Sequence, residues 1–111
     1  MADKILDLGI ALEMLLLRGS SEKTQLSLTF RLRGSWLIAS SLEERQRLNQ
    51  LFKKLYDYRS AVAHNGALEP SSLSSATELF PEFDRIACRV FVCLLFNKDP
   101  NWDSLILGFA S

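Results

Sequence analysis

No proline occurs before Pro70 in this 111-residue chain. Proline interrupts a helix more firmly than any other residue, because it lacks an N–H and its ring clashes with the preceding turn. Residues 1–69 are therefore free to be helical almost throughout, broken only by Gly and Ser. The apolar spacing agrees. From Asp3 to Arg18, Ile5, Leu8, Leu12 and Leu15/Leu16 recur at three- and four-residue steps, the period of an amphipathic helix. Gly19-Ser20-Ser21 ends it.

A second helix is expected from Ser21 or Lys23 to Ala39, with Leu26, Phe30, Leu32 or Arg33, and Leu37 on a less regular stripe. Gly34 within it marks either a close helix contact or a weak point. A third opens at Ser41-Leu-Glu-Glu44, where a hydroxyl followed three residues later by Glu forms a capping box. It continues through Leu48, Leu51/Phe52, Leu55 and Val62 to a stop at Asn65-Gly66. Residues 65–75 read as the one real loop, and a fourth helix then runs to Phe96 or Asn97. Pro81 falls early in it, so either a short helix stops near Leu79 or Pro81 occupies the first turn of the main helix. Asp99-Pro100 ends this stretch, and a short last helix spans Trp102 to Leu107. No hairpin or alternating strand pair emerges. The expected fold is all-α, a bundle of four main helices plus a short C-terminal helix, in a single domain over 1–111.

Composition narrows the function. Apolar residues make up 48%, enough for a folded core, and no run approaches ~18 apolar residues, so no membrane span is expected. The N-terminus carries Asp7 and Glu13 within its apolar run and is not a signal-peptide core. Cys88 and Cys93 lie about 140° apart on a helix, poorly placed for a local disulfide or one metal. Both read as small buried hydrophobes, in a reducing, cytoplasmic setting. With one His and no Cys pair at ligand spacing, neither a metal site nor a cofactor is expected. Thirteen Lys and Arg balance thirteen Asp and Glu, which argues against a strongly basic nucleic-acid coat protein. The balance is uneven, however. From Glu22 to Arg59, eight basic residues face four acidic ones, while both ends of the chain are net acidic. A basic central pair of helices suits a phosphate backbone, although exposed helices commonly carry Lys and Arg.

The single His, His64, closes the run Leu55-Tyr-Asp-Tyr-Arg-Ser-Ala-Val-Ala-His-Asn-Gly66. Imidazole exchanges protons near neutral pH, and a guanidinium offers a fixed positive fork for phosphate oxygens. Arg59 and His64, with Ser60 and the two tyrosines Tyr56 and Tyr58 nearby, are thus candidates for phosphoryl chemistry. The plainer alternative makes His64 a helix-end residue near the last carbonyls and Arg59 a solvated side chain. Asp57, Ser60 and His64 share one helix face and imitate a hydrolase triad. Ser60 is on no strained elbow and no oxyanion hole is evident, so that chemistry is not expected. Arg59 and His64 diverge by about 140° on an ideal helix. Either the last turn is distorted, or a second copy completes the site.

At this motif the chain resembles the HEPN superfamily, and more closely its Apea-like branch, whose pattern reads Tyr-x-x-Arg-Ser-x-x-Val-His-Gly. Tyr56, Arg59, Ser60 and His64 match in place. Ala63 replaces the valine, and Asn65 is inserted before Gly66. Ala11-Leu-Glu13-Met-Leu-Leu is similar to the family's first-helix acidic motif, and Leu28-Thr-Phe30-Arg31-Leu-Arg33-Gly-Ser-Trp36-Leu to its second helix. The resemblance implies a HEPN-like bundle and a metal-independent ribonuclease acting as a homodimer, often in defence or toxin systems. His64 would be general acid or base, Arg59 would stabilise the phosphorane-like state, and Ser60 would orient phosphate or Arg59. Tyr56 would support Arg59 rather than react, with Asp57 and Asn65 in supporting places. Arg31, Arg33, Lys53 and Lys54 would hold the RNA. Some HEPN domains bind without turnover, so the alternative is a dimerisation or RNA- or protein-binding module of a larger effector.

Overall fold

In a computed structural model, described here for residues 1–20, 25–97 and 100–107, the chain is all-helical among the described residues. Helix α1 spans Ala2–Leu16, α2 Leu26–Ile38, α3 Leu42–Asn65, α4 Pro70–Phe96 and α5 Trp102–Leu107. This is the expected bundle of four main helices and a short fifth. The expected start of the second helix near Ser21 or Lys23, and Asp99 in the stop after the fourth, lie outside the described residues.

Helix α3 is the axis of the bundle and packs against α1, α2 and α4, while α5 rests on α2 alone. One core forms where these helices meet. Phe30, Phe52 and Phe83 are fully buried in it, beside Ile5, Leu12, Leu16, Leu48, Leu55 and Val90. Phe30 meets Phe52 edge to face, with ring centroids 5.7 Å apart. Gly34 makes that contact possible: a Cβ there would stand 2.6 Å from Phe52 Cζ. The glycine marks a close helix contact rather than a weak point.

The ends of α3 follow local chemistry. Ser41 Oγ accepts from the Glu44 N–H at 3.1 Å, and Glu44 Oε1 accepts from the Ser40 N–H at 2.8 Å. The reciprocal cap therefore reaches one residue further back than the usual box. At the other end Gly66 adopts φ 75°, a left-handed conformation glycine takes without steric cost, and its N–H donates to Val62 O at 2.8 Å.

Helix α4 corrects two expectations. The loop assigned to 65–75 shrinks to the short turn between Asn65 and Pro70, because Pro70 occupies the first turn of α4 and the serines after it are helical. Pro81 neither ends a short helix nor starts the main one. It lies inside a continuous helix, with its ring exposed. Burial of Ala76, Phe83, Ile86 and Val90 along the opposite side holds the helix through the missing hydrogen bond. The cysteines need correcting too. Cys88 is exposed and Cys93 is only partly covered, since the apolar run that holds them exceeds what the core can enclose. Among the described residues no helix is long and apolar enough to cross a membrane.

Candidate functional site at the α1–α3 contact

The site begins with a glycine. Gly9 is buried on α1, and the stem of Arg59 from α3 lies directly against it; an added Cβ would come within 2.5 Å of Arg59 Cγ. One turn along α1, Glu13 receives the guanidinium: Arg59 Nη2 lies 2.9 Å from Glu13 Oε2. The two side chains are 26% and 19% exposed, so the pair is largely covered yet partly open to solvent. Arg59 Nε is buried without a hydrogen-bond acceptor.

Tyr56 precedes Arg59 by one turn of α3 and leans on Phe30, with ring centroids 5.4 Å apart. Burial raises the pKa of its phenol above the ordinary tyrosine value, and the Glu13 carboxylate pushes in the same direction; the Arg59 cation opposes both. Arg59, Glu13 and Tyr56 thus form one electrostatic group.

His64 is elsewhere on the helix surface. It is exposed in the last turn of α3, which is regular through Asn65 and closes on a well-made cap. The distortion that would swing His64 toward Arg59 is absent, and on a regular helix the two side chains stay about 140° apart. His64 shares the outward side of α3 with Ser60 and Asp57. Asp57 is engaged with Lys53 at 3.0 Å in an exposed pair. Asn65 lines a hollow of about 470 Å³ at the α3–α4 turn with Ala61, Leu68 and Ser72.

The basic residues separate into different environments. Arg33 Nη1 donates to Leu16 O at 2.8 Å and Arg18 O at 3.2 Å, capping the end of α1, and its guanidinium lies 5.0 Å from the centroid of the Trp102 ring. Arg31 is half-buried, with Nε buried and lacking an acceptor. Lys54 lines a groove between α3 and α4 with Arg47, Gln50, Leu79 and Glu82. Arg33, at the end of α1, and Lys54, in the α3–α4 groove, therefore sit in different places.

Three contacts escaped the sequence reading. Glu13 was visible only as part of an acidic motif, and its i, i+4 spacing from Gly9 was the available signal. Arg89 donates to Ile38 O at 2.6 Å and approaches Glu44 at 3.6 Å, tying α4 to the α2–α3 turn. The Arg45 guanidinium stacks 3.7 Å over the Trp36 ring beside a hollow of about 260 Å³. Nothing in the one-dimensional pattern pairs either arginine with its partner. Among the described residues no three His, Cys, Asp or Glu side chains gather into a metal-binding group. No family model, no curated protein and no solved structure matches the chain.

Proposed function

We propose that this protein is a metal-independent endoribonuclease of the HEPN kind, with Arg59 and His64 brought together across a pair of chains. The observation that carries the reading is the placement of Arg59. Its stem is seated on Gly9 and its head is oriented by Glu13, with about a quarter of the side chain, 26%, still open to solvent. That is how a phosphate-binding cation is held in place before its ligand arrives. His64, exposed and separated from Arg59 around a regular helix, supplies an accessible proton carrier that needs a second chain to meet a guanidinium.

In the proposed reaction a ribose 2′-hydroxyl attacks the adjacent phosphorus. One His64 removes the hydroxyl proton as the new P–O bond forms. Arg59 stabilises the added negative charge on the non-bridging oxygens. The P–O5′ bond then breaks, and the partner's imidazolium protonates the departing oxygen. The products are a 2′,3′-cyclic phosphate and a 5′-hydroxyl, with no redox change and no water consumed.

A second reading is favoured by the Glu13 contact itself. A carboxylate at 2.9 Å already neutralises much of the Arg59 charge, as in a structural ion pair of a non-catalytic binding or dimerisation module. Incubation of single-stranded RNA with wild type, Arg59→Ala and His64→Ala in the presence of a chelator separates the two. The ribonuclease reading expects cleavage by wild type, loss of at least about a hundredfold in each variant, and cyclic-phosphate ends by mass spectrometry. No cleavage by wild type, or equal cleavage by all three, favours the module.

A further inference from the structure

The outward side of α4 changes character halfway along. In its first half the exposed positions, among them Ser74, Thr77, Glu78, Pro81, Asp84 and Arg85, include a single large hydrophobe, Leu73, at 38%. In its second half they are Cys88, Phe91, Val92, Leu95 and Phe96. The inward side is apolar throughout, with Phe83, Ile86 and Val90 buried. The last turns of α4 are therefore apolar all round, the pattern of a helix enclosed on every side.

The area involved is large for so small a chain. Phe96 is 87% exposed, Leu95 57%, Phe91 53% and Val92 49%. At roughly 200 Å² per aromatic side chain, the two phenylalanines alone leave about 250–300 Å² open. Phe91, Leu94 and Leu95 continue into a groove with Leu15 of α1 and Arg18 just beyond its end. Together these surfaces come to about 500 Å², at the upper end of what a lone protein leaves uncovered, and two such faces would bury about 1,000 Å², the threshold of a specific interface.

We propose that a second copy of this chain docks on the C-terminal half of α4, face to face about a twofold axis. Charge favours a copy over other occupants. No charged residue lies between Arg89 and Asn97, so two such faces meet without like charges at their centre. Cys88, Val92 and Phe96 follow one another at four-residue steps, as do Phe91 and Leu95, which gives the ridges that pack into the grooves of a like helix. A lipid surface fits less well. The charged positions flanking it in sequence are Asp84, Arg85 and Arg89, with Arg18 in the groove, not the basic collar of a membrane-binding helix.

This face lies at the far end of α4 from the last turn of α3, which carries His64. Pro70 follows closely after the end of α3, and at ~1.5 Å per residue Phe96 lies about 39 Å further along α4. The pairing therefore stands whether or not the ribonuclease reading does. Use of both faces would give an assembly of more than two chains.

Sedimentation velocity over a concentration series tests it, with wild type, Val92→Glu/Phe96→Glu and, as a control on the polar half of α4, Glu78→Gln. Both altered apolar positions lie off the core, and circular dichroism checks that the double variant keeps its helices. Wild type and Glu78→Gln should associate alike, and the double variant should fall by one doubling step. The proposal is overturned by a wild type that stays monomeric throughout, by a double variant that sediments as wild type does, or by a monomer that floats with phosphatidylcholine/phosphatidylglycerol vesicles.

Discussion

At the scale of single residues, the α1–α3 contact is governed by what is missing from Gly9. A methyl group there meets Arg59 Cγ at 2.5 Å and Cβ at 2.7 Å, and the Cβ, unlike the head of the side chain, cannot swing away. Gly9→Ala should therefore push α1 from α3, costing about 1–3 kcal/mol in urea unfolding, and should separate Arg59 from Glu13. On the ribonuclease reading it lowers cleavage as well, although it alters no reacting group. An unchanged midpoint and unchanged cleavage would show that the contact yields freely. Tyr56 reports on the same group by titration. Its folded pKa is raised, so between the unfolded and folded values the native state holds the proton more tightly. The stabilisation is then complete below the unfolded tyrosine value of about 10 and is lost as pH rises through the folded value. Ultraviolet titration of a Tyr58→Phe variant isolates Tyr56, since the chain has only two tyrosines. Ionisation at or below the free-tyrosine range would contradict the covered position.

At the scale of elements, α3 and α4 show what sequence can and cannot reveal. Helix α3 was legible because each signal acts locally: the Ser41 cap, the stripe through Leu48, Leu55 and Val62, and the Asn65-Gly66 stop. The close contact at Gly34 was left as one of two options, because Phe52 reaches it from another helix. Helix α4 misled through its first half. Serines and an internal proline argue locally against helix, yet Ala76, Leu79 and Phe80 pack on the bundle and outweigh them. The cysteines failed for the opposite reason: an apolar run looks buried in sequence whether or not the core has room for it. For the site, the motif placed Arg59 and His64 on one helix, and its geometry predicted their divergence. Glu13 and Gly9 were not legible as its partners because they come from another helix. A prediction about α4 follows. Pro81 is exposed and lacks the N–H that would bond to Thr77 O, so alanine restores a hydrogen bond without touching the core. Proline in a helix interior costs up to ~3 kcal/mol relative to alanine. Pro81→Ala should thus stabilise the fold by about 1–3 kcal/mol, raising the thermal midpoint by several degrees; a lower midpoint would mean the bundle depends on a proline-induced bend.

At the scale of the whole molecule, the excess of basic residues between Glu22 and Arg59 overstates the charge available to a ligand. Arg33 is held by the carbonyls of Leu16 and Arg18, Arg59 by Glu13, and Arg45 lies flat on Trp36. Lys53 shares its charge with Asp57, but in an exposed pair that a phosphate can open at little cost. Arg47 and Lys54 line the α3–α4 groove, where Glu82 opposes them. On the ribonuclease reading, the described part of this stretch therefore offers the backbone of single-stranded RNA two or three cations per chain: Lys53, Lys54 and Arg47. Each phosphate neutralised contributes about −0.7 to the slope of log affinity against log salt for a single strand, so the slope should be about −1.4 to −2 per chain. Fluorescence anisotropy with a labelled oligoribonucleotide across a salt series measures it. Arg47→Ala/Lys54→Ala should flatten the slope to about −0.7, while Arg33→Ala should lower stability and leave the slope alone. A slope steeper than about −3 would require cations that the fold currently engages in structure to be released on binding. The carbonyl contacts of Arg33 and its place over Trp102 make that release costly, so its slope is the measurement that best separates a phosphate-binding face from a set of helix-stapling arginines.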